Sequence, residues 1–192
     1  MDKGIAKSLN IGDSGFVIIR NGGIIYRSKP QQHRFNAPYQ LTICPPERNG
    51  TCIQNEPKDG DLVEHQLADG DIIVMGTDGL FDNLFDWQIL QIINQGQAGI
   101  EPFSEILKKA ATGDKESILR VNQQLHNRAR EIAKLARIVS ISDSNFTFTP
   151  FSKAYTEETG RHISGGKKDD ITVIVAALLK RKIFVDSFSK NQ

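Results

Sequence analysis

The order of the predicted secondary structure restricts the fold of this sequence more than any other feature. Short apolar runs bounded by turn residues make up the chain as far as Thr77, helical periodicity follows, and a final apolar run begins at Ile171. Strands in hairpins, then helices, then one closing strand are typical of a layered α+β fold rather than of a parallel Rossmann sheet. Because 192 residues suit one domain, we predict a single domain over residues 1–182 and a short tail over residues 183–192.

Two turn signals organise the predicted strands. Asn21-Gly22-Gly23 predicts a hairpin, and Asp69-Gly70-Asp71 predicts a second one. Residues 28–60 are rich in Pro, Gln, Asn and Gly, which predicts a long irregular segment with at most one short element at residues 40–43. The predicted strands cover residues 8–11, 16–20, 24–27, 62–67, 72–77 and 171–179, the last of them in the middle of a core. The predicted helices cover residues 87–94, with Asp82 as cap, and residues 101–111, 117–139 and 150–158.

The charge balance argues against several classes of partner. A formal net charge of +1 is not the excess of positive charge that is typical of proteins that bind nucleic acid or an anionic membrane. The basic cluster Lys180-Arg181-Lys182 follows the last strand and is interpreted as part of a solvated tail. No apolar run approaches the ~20 residues that a membrane span needs. Met1 is followed by no secretory leader, so we expect an intracellular protein.

The two cysteines fit no common site. The spacing between Cys44 and Cys52 matches no zinc signature and no redox pair. We therefore expect free thiols in a reducing compartment. A zinc site that adds His33 and His65 to the cysteines is an alternative that the spacing does not favour.

Three acidic turns, each joined to a predicted strand, contain the candidate functional residues of the sequence. Asp13 lies in the turn at residues 12–15, Asp78 follows the apolar run at residues 72–75, and Asp169-Asp170 precedes the last strand. Carboxylates at several strand ends can converge, and the convergence of like charges is costly unless a cation compensates for it. Because carboxylate oxygens are the ligands of hard cations, the three turns together predict a site for Mg²⁺ or Mn²⁺.

Each turn also has other interpretations. Taken singly, each is explained by local side-chain hydrogen bonds or by helix capping. A trypsin-like nucleophile at Ser14 is rejected, because the histidine and aspartate of such a site would lie upstream, where the chain is too short. A haloacid-dehalogenase nucleophile at Asp78 lacks the second aspartate that would stand at Leu80. Asp169 and Asp170 face opposite sides of an extended chain, so only one of them can point at a shared metal.

The three segments, in this order, resemble the closing part of the metal-dependent protein phosphatases of type 2C. That family has a Gly-Asp-Ser turn, a Thr/Ser-Asp-Gly-Leu-hydrophobic-Asp segment and an Asp-Asp or Asp-Asn pair before a strand, which correspond to residues 12–14, 77–82 and 169–170. Residues 31–36 and 166–173 are most similar to one branch, the mitochondrial phosphatases linked to ubiquinone synthesis. The resemblance covers residues 8–180.

The resemblance implies a partial α-β-β-α sandwich, in which two antiparallel sheets pack together and helices cover their outer faces. It implies that Asp78 and Asp169 are catalytic ligands of a pair of Mg²⁺ or Mn²⁺ ions, and that Asp13 and Asp82 hold a further, weaker ion together with Asp78. The ions would activate a water that hydrolyses phosphoserine or phosphothreonine in a protein substrate, without a protein nucleophile. The branch further implies a mitochondrial location.

The sequence departs from this family at its beginning. The family's phosphate-binding Arg, its Glu-Asp pair and its metal-bridging Asp-Gly-x-Gly-Gly turn have no counterpart here. The loss of a bridging carboxylate is expected to weaken Mg²⁺ binding strongly. We hypothesise a truncated gene model, splice form or fragment of an active phosphatase, with impaired activity. The alternative is a catalytically inactive phosphatase-like protein that binds phosphoproteins or regulates an intact paralogue.

Overall fold

In the computed structural model of this protein, the described residues are 4–48, 50–96, 101–143 and 145–179. The basic cluster Lys180-Arg181-Lys182 and the predicted tail lie outside them. Within the described part, the strands are β1 (Gly4–Asn10), β2 (Gly15–Arg20), β3 (Gly23–Arg27), β4 (Gln32–Arg34), β5 (Ala37–Pro38), β6 (Asp61–Leu67), β7 (Ile72–Gly76) and β8 (Val173–Ala177). The helices are α1 (Asp78–Phe81), α2 (Asp86–Asn94), α3 (Phe103–Ala111), α4 (Lys115–Ser140) and α5 (Pro150–Thr159).

Two antiparallel sheets form the centre of the fold. The larger sheet has the strand order β3-β2-β7-β8, and the smaller one pairs β1 with β6. The ring of His65 on β6 contacts the rings of Phe16 and Tyr26, which joins the smaller sheet to the larger one. Helices α1 and α4 contact strands β7 and β8 of the larger sheet, and α2 and α3 pack against α4. The predicted α+β class, with two antiparallel sheets and helices, is confirmed.

The main core lies between the larger sheet and the helices. Val17, Ile19 and Val74 are buried in it together with residues of α1, α2 and α4, because alternate side chains of a strand share one face. Helix α4 contributes the single buried stripe that its periodicity predicts, which includes Val121, Leu125, Ile132 and Ala136. No helix in the described ranges combines the length and the apolar character needed to cross a bilayer.

The pairing of the strands around Asp69-Gly70-Asp71 differs from the prediction. Strand β6 pairs with β1, whereas β7 pairs with β2 and β8, so this turn passes from one sheet to the other and closes no hairpin. Turn residues indicate only that the chain reverses, because the pairing itself depends on residues far away in the sequence. The last strand, β8, lies at the edge of the larger sheet and not in the middle of a core, and Ile174 is half exposed there.

Two local predictions are also wrong. Asp82 ends the short helix α1, and α2 begins only after Phe85, whose backbone N–H donates to the side-chain oxygen of Gln88. Asp86 lies in the first turn of α2. Residues 40–43, all described, form no strand. The short pair in the irregular segment is β4 with β5, and Asn36 supplies the left-handed turn between them.

The two cysteines are joined, contrary to the expectation of free thiols. Cys44 and Cys52 form a disulfide, with their Cα atoms 5.8 Å apart. The 3-10 turn Pro46–Arg48 lies between them in the sequence. Because disulfide sulfurs do not bind zinc as thiolates, and His33 and His65 hydrogen-bond to other side chains, the zinc alternative is wrong as well.

An ion pair with a buried carboxylate ties the sheets together at the end opposite to the acidic turns. Asp71 is buried, and its carboxylate accepts hydrogen bonds from Arg20 Nε at 2.8 Å and from Arg20 Nη2 at 2.7 Å. The same guanidinium donates to the carbonyl of Gln66 on β6. Burial alone would raise the pKa of Asp71, but the hydrogen bonds from Arg20 and from the N–H of Ala68 outweigh it, so the pKa is lowered.

Replacing Asp71 with asparagine is expected to lower the free energy of unfolding by about 2 kcal/mol at pH 7, since hydrogen bonds to charged groups contribute roughly 1.5–3 kcal/mol. Because the pKa of Asp71 is lower in the folded chain, this stabilisation is complete above the pKa of the unfolded carboxyl, about 3.9, and is lost as the pH falls through the folded value. Urea unfolding at pH 7 and at pH 3 measures the difference, with the exposed Asp61→Asn as control. An equal loss at both pH values would contradict this role of the carboxylate.

Candidate metal centre

The register of the larger sheet brings the three acidic turns to one end. Gly15 at the start of β2 lies opposite Gly76 at the end of β7, and Gly76 in turn lies opposite the first residue of β8. The segments next to these strand ends are the turn that holds Asp13, the start of α1 at Asp78 and the loop that holds Asp169. Antiparallel pairing therefore places three turns that are distant in the sequence beside one another.

Asp78 is fixed by a close approach between the start of α1 and the loop before β8. The hydroxyl of Thr77 donates to the backbone carbonyl of Asp170 at 2.8 Å. It also accepts a hydrogen bond from the backbone N–H of Thr172 at 3.1 Å. A Cβ at Gly79 would lie 2.4 Å from the same carbonyl oxygen, so only glycine allows this approach. Thr77 and Gly79, on either side of Asp78, thus hold its backbone against the acidic loop.

Asn83, a buried side chain without a distinctive sequence signal, fixes the other side of the site. Its Nδ2 donates to the carbonyls of Gly79 and Lys167, both at 2.9 Å, and its Oδ1 accepts the N–H of Lys167 at 2.9 Å. A side-chain amide can pair with both the N–H and the C=O of one residue, because it carries a donor and an acceptor. These bonds hold the backbone of Lys167 next to α1.

The ammonium of Lys167 lies at the centre of three carboxylates. Its Nζ is 2.8 Å from Asp78 Oδ2, 2.6 Å from Asp82 Oδ2 and 3.3 Å from Asp169 Oδ2. The first two carboxylates belong to α1 and the residue that ends it, and the third to the loop before β8. Because the side chain of Lys167 is only 17% exposed, these ion pairs are partly shielded from water.

Burial and charge shift the pKa values of this cluster in different directions. Burial, followed by the charge of Asp78, raises the pKa of Asp13. Burial also raises the pKa of Asp82, although Lys167 opposes the shift. For Asp169, burial is outweighed by a backbone N–H and by Lys167, so its pKa is lowered. For Lys167, burial is outweighed by the hydrogen bonds to Asp78 and Asp82, so its pKa is raised.

The donor set has the chemistry of a site for a hard divalent cation. Carboxylate oxygens of Asp78, Asp82 and Asp169 converge on one positively charged nitrogen, which stands where a cation could lie. Among the described residues, no group of three or more acidic, histidine or cysteine side chains forms a ready-made metal cage. The three aspartates around the ammonium are the candidates for metal ligands, and Asp13 lies within electrostatic range of Asp78 and Lys167.

A cleft of about 240 Å³ opens beside this cluster. Its walls are partly acidic and partly aromatic, and they include Asp13, Asp82, Arg27, Phe35, Phe81 and Phe151. The guanidinium of Arg27 lies 4.7 Å from the ring centre of Phe81, which keeps a positive charge near the rim. A concave, largely apolar surface with a few charged groups is the usual form of a site for a small ligand or a single side chain.

All the aspartates that the sequence predicts as site residues lie at this end of the sheet, namely Asp13, Asp78, Asp82 and Asp169. Asp170 contributes its backbone, and its side chain is exposed. Lys167 was not predicted, because nothing in the pair Lys167-Lys168 distinguishes the lysine that is half-buried from its exposed neighbour.

The curated relatives that the chain matches are named protein phosphatases. The chain is 37% identical over 167 residues to the protein phosphatase PTC7 homolog of Homo sapiens, covering 87% of this chain and 47% of that protein. It is 38% identical over 167 residues to the Danio rerio homolog, covering 87% of this chain and 48% of that protein. It is also 39% identical over 172 residues to the PTC7 homolog fig of Drosophila willistoni, covering 89% of this chain and 47% of that protein. The chain thus spans about half the length of the curated relatives it matches.

A solved structure shares the fold over most of the chain. The X-ray structure of the photosystem II phosphatase PBCP superimposes with a TM-score of 0.69 at 29% identity, covering 93% of this chain and 60% of that one. No protein-family model matches the sequence.

Proposed function

Since this chain is a homologue of the PTC7 protein phosphatases of the type 2C family, we propose that it hydrolyses phosphoserine and phosphothreonine in protein substrates with the help of Mg²⁺ or Mn²⁺. One observation carries the proposal. Carboxylates from α1 and from the loop before β8, separated by about ninety positions in the sequence, meet within 2.6 to 3.3 Å of a single cationic nitrogen. Such convergence of hard oxygen donors is what a divalent cation requires.

The roles proposed for the aspartates come from the resemblance to the type 2C phosphatases. We assign Asp78 and Asp169 to the principal pair of ions, and Asp82 and Asp13, together with Asp78, to a further ion. When bound, divalent cations lower the pKa of water and neutralise the charge that develops on the phosphoryl oxygens. Thr77 and the buried amide of Asn83 hold α1 and the acidic loop in a fixed relation, so that the carboxylates keep their mutual geometry.

The cleft beside the cluster provides the approach for the substrate in this proposal. Asp13 and Asp82 line the cleft, so a phosphorylated side chain that enters it comes close to the carboxylates that would hold the metal. Phe35 and Phe151 also line the cleft, and their rings would exclude water from a bound phosphoryl group.

Phosphate release from a phosphothreonine peptide tests the metal dependence. The 192-residue chain is expected to release phosphate with Mn²⁺, at the impaired rate that the sequence predicts, to stop when EDTA is added, and to resume when Mn²⁺ is restored in excess. Turnover that continues in EDTA would contradict the proposal.

A second candidate is a catalytically inactive phosphatase-like protein that binds phosphoproteins or regulates an intact paralogue. The observation in its favour is that Lys167 already neutralises the carboxylates from within the chain. Such a protein would bind the phosphothreonine peptide equally well with and without Mn²⁺ and would release no phosphate. Fluorescence anisotropy with a labelled peptide, run beside the phosphate assay, separates the two candidates.

We also propose a mitochondrial location, based on the resemblance of residues 31–36 and 166–173 to the ubiquinone-linked branch. Fluorescence microscopy of the tagged protein with a mitochondrial marker tests this. A diffuse signal over the cytosol would contradict it.

A further inference from the structure

We propose that the ammonium of Lys167 competes with divalent metal for the acidic site, so that a metal ion binds only when Lys167 swings away. This inference deepens the proposed function and rests on it, because it concerns how the same aspartates take up their metal. In this proposal Lys167 determines the metal concentration at which the site becomes occupied.

The competition follows from the contacts that Lys167 makes. Its Nζ lies within hydrogen-bond distance of Asp78 Oδ2 and Asp82 Oδ2 and 3.3 Å from Asp169 Oδ2. These oxygens cannot direct the same lone pairs at an ammonium and at a metal ion that needs ligands at about 2.0–2.1 Å. A divalent cation among the three carboxylates would also lie next to a second positive charge, and the partly buried position screens that repulsion poorly.

The side chain can leave without a change in the backbone. Asn83 holds the N–H and the C=O of Lys167, so the main chain stays fixed while the four-carbon stem rotates. A second favourable position lies close by, because Nζ is already 5.3 Å from the ring centre of Phe151 on the wall of the cleft. An ammonium over an aromatic face keeps part of its stabilisation.

Lys167→Met tests the proposal, because methionine retains an unbranched apolar stem and removes the charge. We expect this variant to bind Mn²⁺ at least about tenfold more tightly than the unmodified chain, since apparent affinity falls with the fraction of molecules whose site is open. The matched control is Lys168→Met, which removes the same charge from the exposed neighbour and is expected to leave the affinity unchanged. The electron paramagnetic resonance signal of free Mn²⁺ measures binding without any need for catalysis.

A second measurement uses the unmodified chain and decides the matter even if Lys167→Met does not fold. An ammonium paired with carboxylates reacts slowly with acetic anhydride, so acetylation of Lys167, followed by mass spectrometry, is expected to accelerate when Mn²⁺ is added. Acetylation of Lys168 is expected to stay constant and serves as the internal reference.

The outcomes separate this inference from the proposed function. If Lys167→Met binds Mn²⁺ no more tightly than Lys168→Met, or if Mn²⁺ leaves the acetylation of Lys167 unchanged, the competition is refuted while the metal site stands. If none of the three proteins binds Mn²⁺, the metal dependence of the proposed function fails, and the competition fails with it.

Discussion

Asp78→Ala is expected to reduce Mn²⁺-dependent phosphate release by at least about 100-fold, because replacing groups that merely orient metal ligands already costs 10–100-fold. In the proposed function Asp78 serves both the principal pair of ions and the further ion, and it lies nearer than Asp169 to the shared ammonium. Asp169→Ala is expected to cause a loss of the same order. Initial rates with a phosphothreonine peptide at saturating Mn²⁺ measure both effects.

The matched control for these variants is Asp170→Ala. It removes an exposed acidic side chain next to Asp169 and keeps the backbone carbonyl that accepts the hydrogen bond from Thr77, so its rate is expected to stay within about twofold of the unmodified chain. Circular dichroism checks the fold, because Asp78 Oδ1 also accepts the N–H of Gly79 at the start of α1. A normal rate for Asp78→Ala, or an equal loss in Asp170→Ala, would contradict the assignment of the ligands.

Local patterns were sufficient for most of the elements. The Asn21-Gly22 turn correctly predicts the β2–β3 hairpin. A tight hairpin turn needs left-handed backbone at both of its central residues, and Asn21 and Gly22 both adopt it. The long helix α4 follows from its apolar period alone. Local patterns did not predict which strand pairs with β6. Its partner β1 lies more than fifty residues upstream, and the turn at Asp71 is stabilised by the distant Arg20.

In the candidate site, too, some residues have a recognisable local sequence signal, whereas others matter only through contacts with residues distant in the sequence. Asp13 and Asp78 have a local signal because each stands beside a glycine next to a predicted strand, and Asp169 has one because it belongs to an acidic pair before the last strand. Lys167 and Asn83 have none, because their importance comes from contacts with each other and with α1 across more than eighty positions. The sequence therefore predicts which anionic groups gather but not the cation that lies among them.

Gly166→Ala is expected to have the largest effect on stability of any single methyl addition to this end of the fold, lowering the free energy of unfolding by about 4 kcal/mol or more. The added Cβ would lie 1.9 Å from the carbonyl oxygen of Val139 and 2.6 Å from the Cα of Ser140. These are backbone atoms in the last turn of a 26-residue helix, α4, so they cannot move aside as a flexible side chain would. Urea unfolding followed by circular dichroism measures the loss.

The expected damage also extends to the acidic site, because Gly166 immediately precedes Lys167. A chain that moves away from α4 must break the hydrogen bond from the Gly166 N–H to the carbonyl of Ser142 at 2.9 Å, and it draws Lys167 away from Asn83. Gly96→Ala is the control, since no atom lies within 4 Å of its added Cβ, and its stability is expected to change by about 1 kcal/mol or less. If Gly166→Ala were as stable as Gly96→Ala, the close packing of the acidic loop on α4 would be wrong. The positions of Lys167 and Asp169 would then need another explanation.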